Sequence, residues 1–224
     1  MTASGPALRN VTGYVLAGGR SSRMGQDKAL LEHDGEPLVE RALRTLRAVC
    51  AHTRILSGPA NFDRDALLSR YGHLVSDTAH EHGGPLAALA AALADCRTPY
   101  ALLLAVDQPQ ASAGLLGQLV TTAMANSAIA ACFQDGAQAE PLPLFASRDL
   151  RHALHQALAE GERRLLPGVQ SCARALGQKV LLLDLADGEK AQITNLNTPS
   201  DLQQWKRSVL SNQSALNASE RSDG

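Results

Sequence analysis

Seven consecutive residues without a charge, Tyr100-Ala101-Leu102-Leu103-Leu104-Ala105-Val106, set the tightest limit on what this chain can fold into. A strand with one wet face alternates apolar and polar residues. This one is apolar throughout, so both of its faces must be covered. The pattern predicts a central strand of a parallel sheet with helices above and below it. The run stops abruptly at Asp107-Gln108-Pro109.

Shorter elements on either side follow the same plan. Val11 to Ala17 reads as a first strand, rich in β-branched residues. Leu38, Ala42, Leu43, Leu46 and Val49 recur at helical spacing, and strands are predicted at Arg54–Ser57 and His73–Ser76 around a short helix over Asp63–Arg70. Pro85 opens a helix faced by Leu86, Leu89, Ala90 and Leu93, and another carries Leu115, Leu116, Leu119, Val120 and Ala123. Ala128–Phe133 and Leu142–Phe145 flank an Asp135-Gly136 turn, which predicts an antiparallel pair. A helix through Leu150, Ala153, Leu154 and Leu158 ends at Gly161. A second helical stretch, Leu165 to Leu176, is expected to be interrupted at Pro167-Gly168, and Val180–Leu185 is a late strand. Thr198-Pro199-Ser200-Asp201 has the order of an N-cap, a first-position proline and an acid, opening a helix through Leu202 and Trp205. The class is therefore α/β with a mostly parallel central sheet. Residues 1–10 read as a loose leader, 11–205 as one domain and 206–224 as a polar tail expected to fray.

Composition excludes more than it assigns. A net charge of −1 over 224 residues offers no electrostatic case for binding nucleic acid or membrane. No apolar run reaches membrane-spanning length and the start lacks a signal-peptide core. Cys50, Cys96, Cys132 and Cys172 lie far apart in apolar contexts, as reduced core thiols do, and a cytoplasmic location is expected.

In doubly wound sheets ligands sit at the carboxyl ends of the strands. Three polar constellations occupy that position: Gly18-Gly19-Arg20-Ser21-Ser22-Arg23-Met24-Gly25-Gln26-Asp27-Lys28 after the first strand, Asp77 after the third, and Asp107 after the central one. Glycines let backbone N–H groups approach an anion and the cations neutralise it, so the first stretch reads as a phosphate cradle. It carries neither the G-x-G-x-x-G of dinucleotide folds nor a Walker lysine. A carboxylate after a buried strand, as at Asp107, suits a magnesium ion shared with phosphates, although such residues also serve as turn formers. His80-Glu81-His82 offers two imidazoles for zinc but no evident third ligand.

Taken with Gly83-Gly84-Pro85-Leu86, Asp107-Gln108-Pro109, Gly161-Glu162-Arg163-Arg164 and Asn195-Leu196-Asn197-Thr198-Pro199, the loop resembles that of the molybdenum cofactor guanylyltransferases, or molybdopterin-guanine dinucleotide synthases. The resemblance runs in order from Val11 to Trp205. It implies the Rossmann-like three-layer α/β/α fold of the nucleotidyltransferase superfamily and a magnesium-dependent transfer of GMP from GTP to molybdopterin, releasing pyrophosphate. It further implies that Leu16, Ala17, Gly18 and Gly19 contact the nucleotide through backbone and that Arg23 grips the triphosphate. Lys28 would stabilise the α-phosphate region, Asp77 would touch the nucleotide, and Asp107 would ligate Mg2+. Asn195 and Asn197 would lie across the cleft, orienting metal or acceptor, while Arg163 or Arg164 would bind the molybdopterin phosphate or simply begin a helix. Ser57 stands where the family pattern has Asn, so its base or ribose contact is weaker. Molybdenum cofactor insertion proteins are the implied partners. Rival functions are a cytidylyltransferase of the same pterin, a nicotinamide oxidoreductase and a nucleotide-binding regulator without turnover.

Overall fold

A computed structural model describes residues 9–18, 27–76, 84–198, 200–201 and 203–205. Its core is a seven-stranded sheet. The strands are β1 (Val11–Leu16), β4 (His52–Gly58), β5 (Leu74–Ser76), β6 (Tyr100–Ala105), β7 (Ala130–Asp135), β8 (Gln138–Ser147) and β9 (Val180–Asp184). A separate two-strand hairpin, β2 (Glu32–His33) and β3 (Glu36–Pro37), closes at Asp34-Gly35. The order across the large sheet is β5-β4-β1-β6-β8-β7-β9.

The apolar run does take the middle place, with a difference in its neighbours. β6 is parallel to β1 on one edge but antiparallel to β8 on the other. β8 is the strand turned round by the Asp135-Gly136 hairpin, and it is the one reversed member of an otherwise parallel sheet. Continuous hydrophobicity reports burial of both faces, and it carries no information on the direction of a neighbour.

Those faces can be read residue by residue. Val11, Val15, Leu102 and Leu104 point into one core, covered by α1 (Leu38–Arg47) and α4 (Ala113–Ala125). Tyr14, Ala101 and Leu103 point into the other, covered by α3 (Gly84–Asp95), α5 (Arg151–Ala159) and α6 (Leu165–Ala175). Leu102, Leu103 and Leu104 are each fully buried, which stabilises the fold by about 1.5–3 kcal/mol per side chain relative to exposure. The short α2 (Phe62–Leu68) buries Leu68 while Phe62 is exposed.

The expected break at Pro167-Gly168 is absent, and α6 runs unbroken from Leu165 to Ala175. Pro167 falls in the first turn, where an N–H has no intrahelical acceptor, so nothing is lost there. Gly168 makes the first helical bond, to Arg164 O at 3.1 Å, and a Cβ on it would lie 2.6 Å from Leu86 Cδ2. The pair therefore marks a close approach of α6 to α3. All four cysteines are buried free thiols, as expected. Burial holds the Cys132 thiol up at about 12 and raises those of Cys50 and Cys172.

Candidate active site

The carboxyl ends of β1, β4 and β6 come together at one edge of the sheet. Ala17 N and Gly18 N both donate to Leu56 O at 3.0 Å, and Val106 N donates to Leu16 O at 3.2 Å. At Gly18 the chain passes so close to β4 that a Cβ would sit 3.0 Å from Gly58 N and Cα. Any side chain there would push the two strand ends apart by a few tenths of an ångström. The N–H groups of Ala17 and Gly18 are thus engaged with Leu56, and the described part of the loop serves to set its exit from the sheet.

Arg64, on α2, closes this corner. Its guanidinium donates to Ala17 O, to Ser57 O and to the Asp27 carboxylate. Asp27 in turn caps the turn Lys28–Leu30, its Oδ1 accepting from Ala29 N at 2.9 Å. Sequence reasoning passed over Arg64, because an arginine in a short polar helix looks like a solvated charge.

Lys28 leaves that turn toward the end of β6. Its Nζ lies 3.2 Å from Asp107 Oδ2, donates to Leu196 O at 2.7 Å and reaches Asn197 Oδ1 at 3.4 Å. Lysine and aspartate side chains are only 16% and 20% exposed, so their attraction is weakly screened. The backbone is fastened as well, with Leu196 N donating to Asp107 O at 2.8 Å. Gln108, next in line and buried, donates from Nε2 to Leu142 O (3.0 Å) and Ile193 O (2.8 Å). Its amide ties the Asp107 turn to the segment that carries the asparagines. Arg41 Nε holds Pro109 O at 2.9 Å from the other side. Asn197, from the far end of the chain, is thereby brought to Lys28 and Asp107. Asn195 is exposed beside it.

Past Asn197, Asp201 Oδ2 accepts from Asn197 N and Thr198 N at 2.8 Å, and Thr198 Oγ1 accepts from Asp201 N at 3.1 Å. This is a reciprocal cap. It starts the helical residues that bring Trp205 against His33, with ring centroids 4.6 Å apart, and under Arg41.

Ser57 lies one residue before the end of β4, and its hydroxyl is buried and finds no hydrogen-bond partner among the described residues. Arg163 and Arg164 form a separate constellation in an open pocket of about 630 Å³ that Ala157, Gly161, Glu162 and Ser171 help to line. Hydrogen bonds from the Arg164 side chain, and from the N–H groups of Arg164 and Arg163, hold the Glu162 carboxyl down at about 2. Arg163 Nη1 is bound to Leu158 O at 2.7 Å, and Leu86 N donates to Arg163 O at 3.3 Å, which joins this loop to the start of α3. Gly19, Arg23, Asp77 and the His80-Glu81-His82 stretch lie outside the described residues.

No cluster of three His, Cys, Asp or Glu side chains exists among the described residues. A dedicated cation cage is therefore not built into them. The donor set is nonetheless one that magnesium accepts in nucleotide sites, where one carboxylate is joined by phosphate oxygens and water. Asp107 supplies the carboxylate, and the oxygens of Leu196 and Asn197 lie beside it on the same ammonium.

Comparison with known proteins bears on the family and the fold. Residues 13–175 match the family description of a MobA-like NTP transferase domain. Molybdenum cofactor guanylyltransferase from Serratia proteamaculans is 32% identical over 202 residues, covering 88% of this chain and 94% of the relative. The protein of that name from Xanthomonas euvesicatoria pv. vesicatoria is 34% identical over 206 residues, covering 90% and 95%. Among solved structures, molybdopterin-guanine dinucleotide biosynthesis protein A from Archaeoglobus fulgidus superposes with a TM-score of 0.73 at 22% identity, over 90% of this chain and 99% of that one. The 2-C-methyl-D-erythritol 4-phosphate cytidylyltransferase of Thermus thermophilus gives 0.62 at 19% identity, over 88% and 97%. At such identities the two structures speak for the fold alone.

Proposed function

The chain belongs to the MobA-like NTP transferase family, and from that membership we propose that it transfers GMP from GTP to molybdopterin, forming the guanine dinucleotide cofactor and pyrophosphate. The observation that carries the reading is a meeting in space. Lys28, from the glycine-rich loop, and Asn197, from the Asn-x-Asn-Thr-Pro stretch, lie 169 positions apart in sequence and touch beside Asp107. The relatives at 32% and 34% identity carry the guanylyltransferase name over almost their whole length.

The reaction joins two anions. A terminal phosphate oxygen of molybdopterin forms a bond to the α-phosphorus of GTP as the bond from that phosphorus to the α–β bridging oxygen breaks, and the electron pair leaves with pyrophosphate. Repulsion and the charge that builds up must be offset by groups already in place. Lys28 supplies a fixed positive charge at the α-phosphate. Its hydrogen bond to the Leu196 carbonyl limits how far it can wander. Asp107, with Asn197 beside it, would hold Mg2+, whose chemistry is to neutralise phosphate oxygens and the departing pyrophosphate. Arg23 and Gly19 enter on the triphosphate, and Asp77 and Ser57 on the nucleoside, from the sequence pattern alone. Arg163 or Arg164 would receive the acceptor phosphate. Arg164 would then have to exchange Glu162 for it.

Four free buried thiols accord with a cytoplasmic location, and among the described residues no helix is long and apolar enough to cross a membrane. Passage of the product to an insertion protein completes the reading without assigning a surface to it. Incubation with molybdopterin, magnesium and each labelled nucleoside triphosphate is the test. GTP alone should yield the dinucleotide and pyrophosphate in equal amounts. Product from CTP and none from GTP would overturn the assignment.

A further inference from the structure

We propose that Arg64 is a positioning residue that sets Lys28 by clamping both ends of the glycine-rich loop to the end of β4. Its kinetic consequences rest on the guanylyl-transfer reading. Its structural consequence does not.

Arg64 stands in the first turn of α2, with its own N–H capped by Asn61 Oδ1 at 3.1 Å. Asn61 N returns the bond to Asp65 Oδ2 at 3.2 Å, and buried Leu68 pins the other end of the helix. Phe62 on the same helix is 89% exposed, so α2 is not an element built to cover core. What it delivers is an arginine whose side chain is only 17% exposed.

That group divides its donors among three separate stretches. Nη2 takes Ala17 O, where the loop leaves β1. Nη1 takes Ser57 O, at the end of β4. Nε takes Asp27 Oδ2, where the loop returns. A planar fork can serve three acceptors in different directions at once, which a lysine ammonium on a flexible stem cannot reproduce. The two loop ends are thereby referred to a single rigid group.

The connection to chemistry runs through Asp27. One carboxylate oxygen faces Arg64 and the other caps the turn that begins at Lys28. Leu31 N closes that turn on Lys28 O at 3.2 Å. If Arg64 is removed, Asp27 becomes free to rotate and the cap on Ala29 loosens. Lys28 then loses its register against Asp107 and Leu196. A displacement of about 1 Å in a catalytic group costs roughly 100-fold in rate.

The test uses the full-length protein with Arg64→Gln, Arg64→Lys and Arg64→Ala, and with Asp27→Asn alone and combined with Arg64→Gln. Two readouts are taken. The first is amide hydrogen exchange at Ala29 without nucleotide, and the second is kcat and KM for GTP. Arg64→Gln should speed exchange at Ala29 and lower kcat by roughly 100-fold, with a smaller change in KM. Arg64→Lys should recover only part of this, and guanidinium ion added to Arg64→Ala should restore rate. Because Arg64 acts through Asp27, adding Arg64→Gln to Asp27→Asn should cost little more. A purely structural arginine would lower the melting temperature, leave kcat per folded molecule intact and ignore guanidinium. Unchanged Ala29 exchange in Arg64→Gln, or fully multiplicative effects in the double variant, would overturn the proposal. Should Arg64→Gln fail to fold, Asp27→Asn breaks the same contact from its other end and carries both readouts. Were the unaltered protein inactive with GTP, the functional reading would fail while Ala29 exchange still decided this one.

Discussion

Lys28 Nζ stands 3.2 Å from Asp107 Oδ2, so a loop cation and the carboxylate ending the central strand already form a pair. Each is the other's counter-charge before any phosphate arrives. Lys28→Met and Asp107→Asn should each lower guanylyl transfer by roughly 10²–10³-fold. The pair is largely buried, so leaving one partner without its counter-charge should also cost about 1–3 kcal/mol of stability. Initial rates beside urea midpoints separate the two effects. A variant that unfolds would show the pair to be structural.

Gly18 has backbone on the far side of its missing side chain. Gly18→Ala places a carbon 3.0 Å from Gly58 N and Cα and 3.3 Å from Ser57 C, atoms that cannot rotate away. The ends of β1 and β4 must part, at a cost of about 1–3 kcal/mol. GTP affinity, measured by titration calorimetry, should fall even at temperatures where the variant remains folded.

The four thiols should be silent in the native protein. Burial raises Cys132 to about 12 and shifts Cys50 and Cys172 in the same direction, so little thiolate exists at neutral pH. A thiol reagent at pH 7.5 should label almost nothing until denaturant is added, and then all four cysteines. Rapid native labelling would place at least one of them at an opening.

Trp205, the single tryptophan, reports on the cap beneath it. Hydrogen bonds from the Thr198 side chain and from the Asn197 and Thr198 N–H groups lower the Asp201 pKa from its ordinary 3.8. A carboxyl lowered by folding stabilises the folded form above the unfolded value and stops doing so as pH falls through the folded one. The emission wavelength of Trp205 should therefore hold from pH 7 to 4 and move red only at lower pH. Asp201→Ala should show the red shift at pH 7. A transition above pH 4 in the unaltered protein would contradict the cap.

Much of this could be read from the sequence because it depends on local pattern. The run at Tyr100–Val106 announced a strand buried on both faces, and Thr198-Pro199-Ser200-Asp201 announced a helix start. Asp107 and Lys28 were found through the types of residue that end strands and line phosphate loops. The reversal of β8 beside β6 was hidden, since hydrophobicity does not encode which strand lies next to which. Pro167-Gly168 misled because its consequence depends on position within the helix and on Leu86 opposite. Arg64 was hidden for a different reason. Two of its three acceptors among the described residues are main-chain carbonyls, which every residue possesses, and the charged one, Asp27, is 37 positions away.

The sheet and the site are finished at different points along the chain. The last strand ends at Asp184, whereas the carbonyl that steadies Lys28 belongs to Leu196, 168 residues beyond the lysine. A polypeptide cut between them retains every described strand of the sheet and lacks the carbonyl against which Lys28 rests. The same cut strips Ile193, Leu196 and Trp205 from the core, so a shortened product should lose stability together with the seat of Lys28.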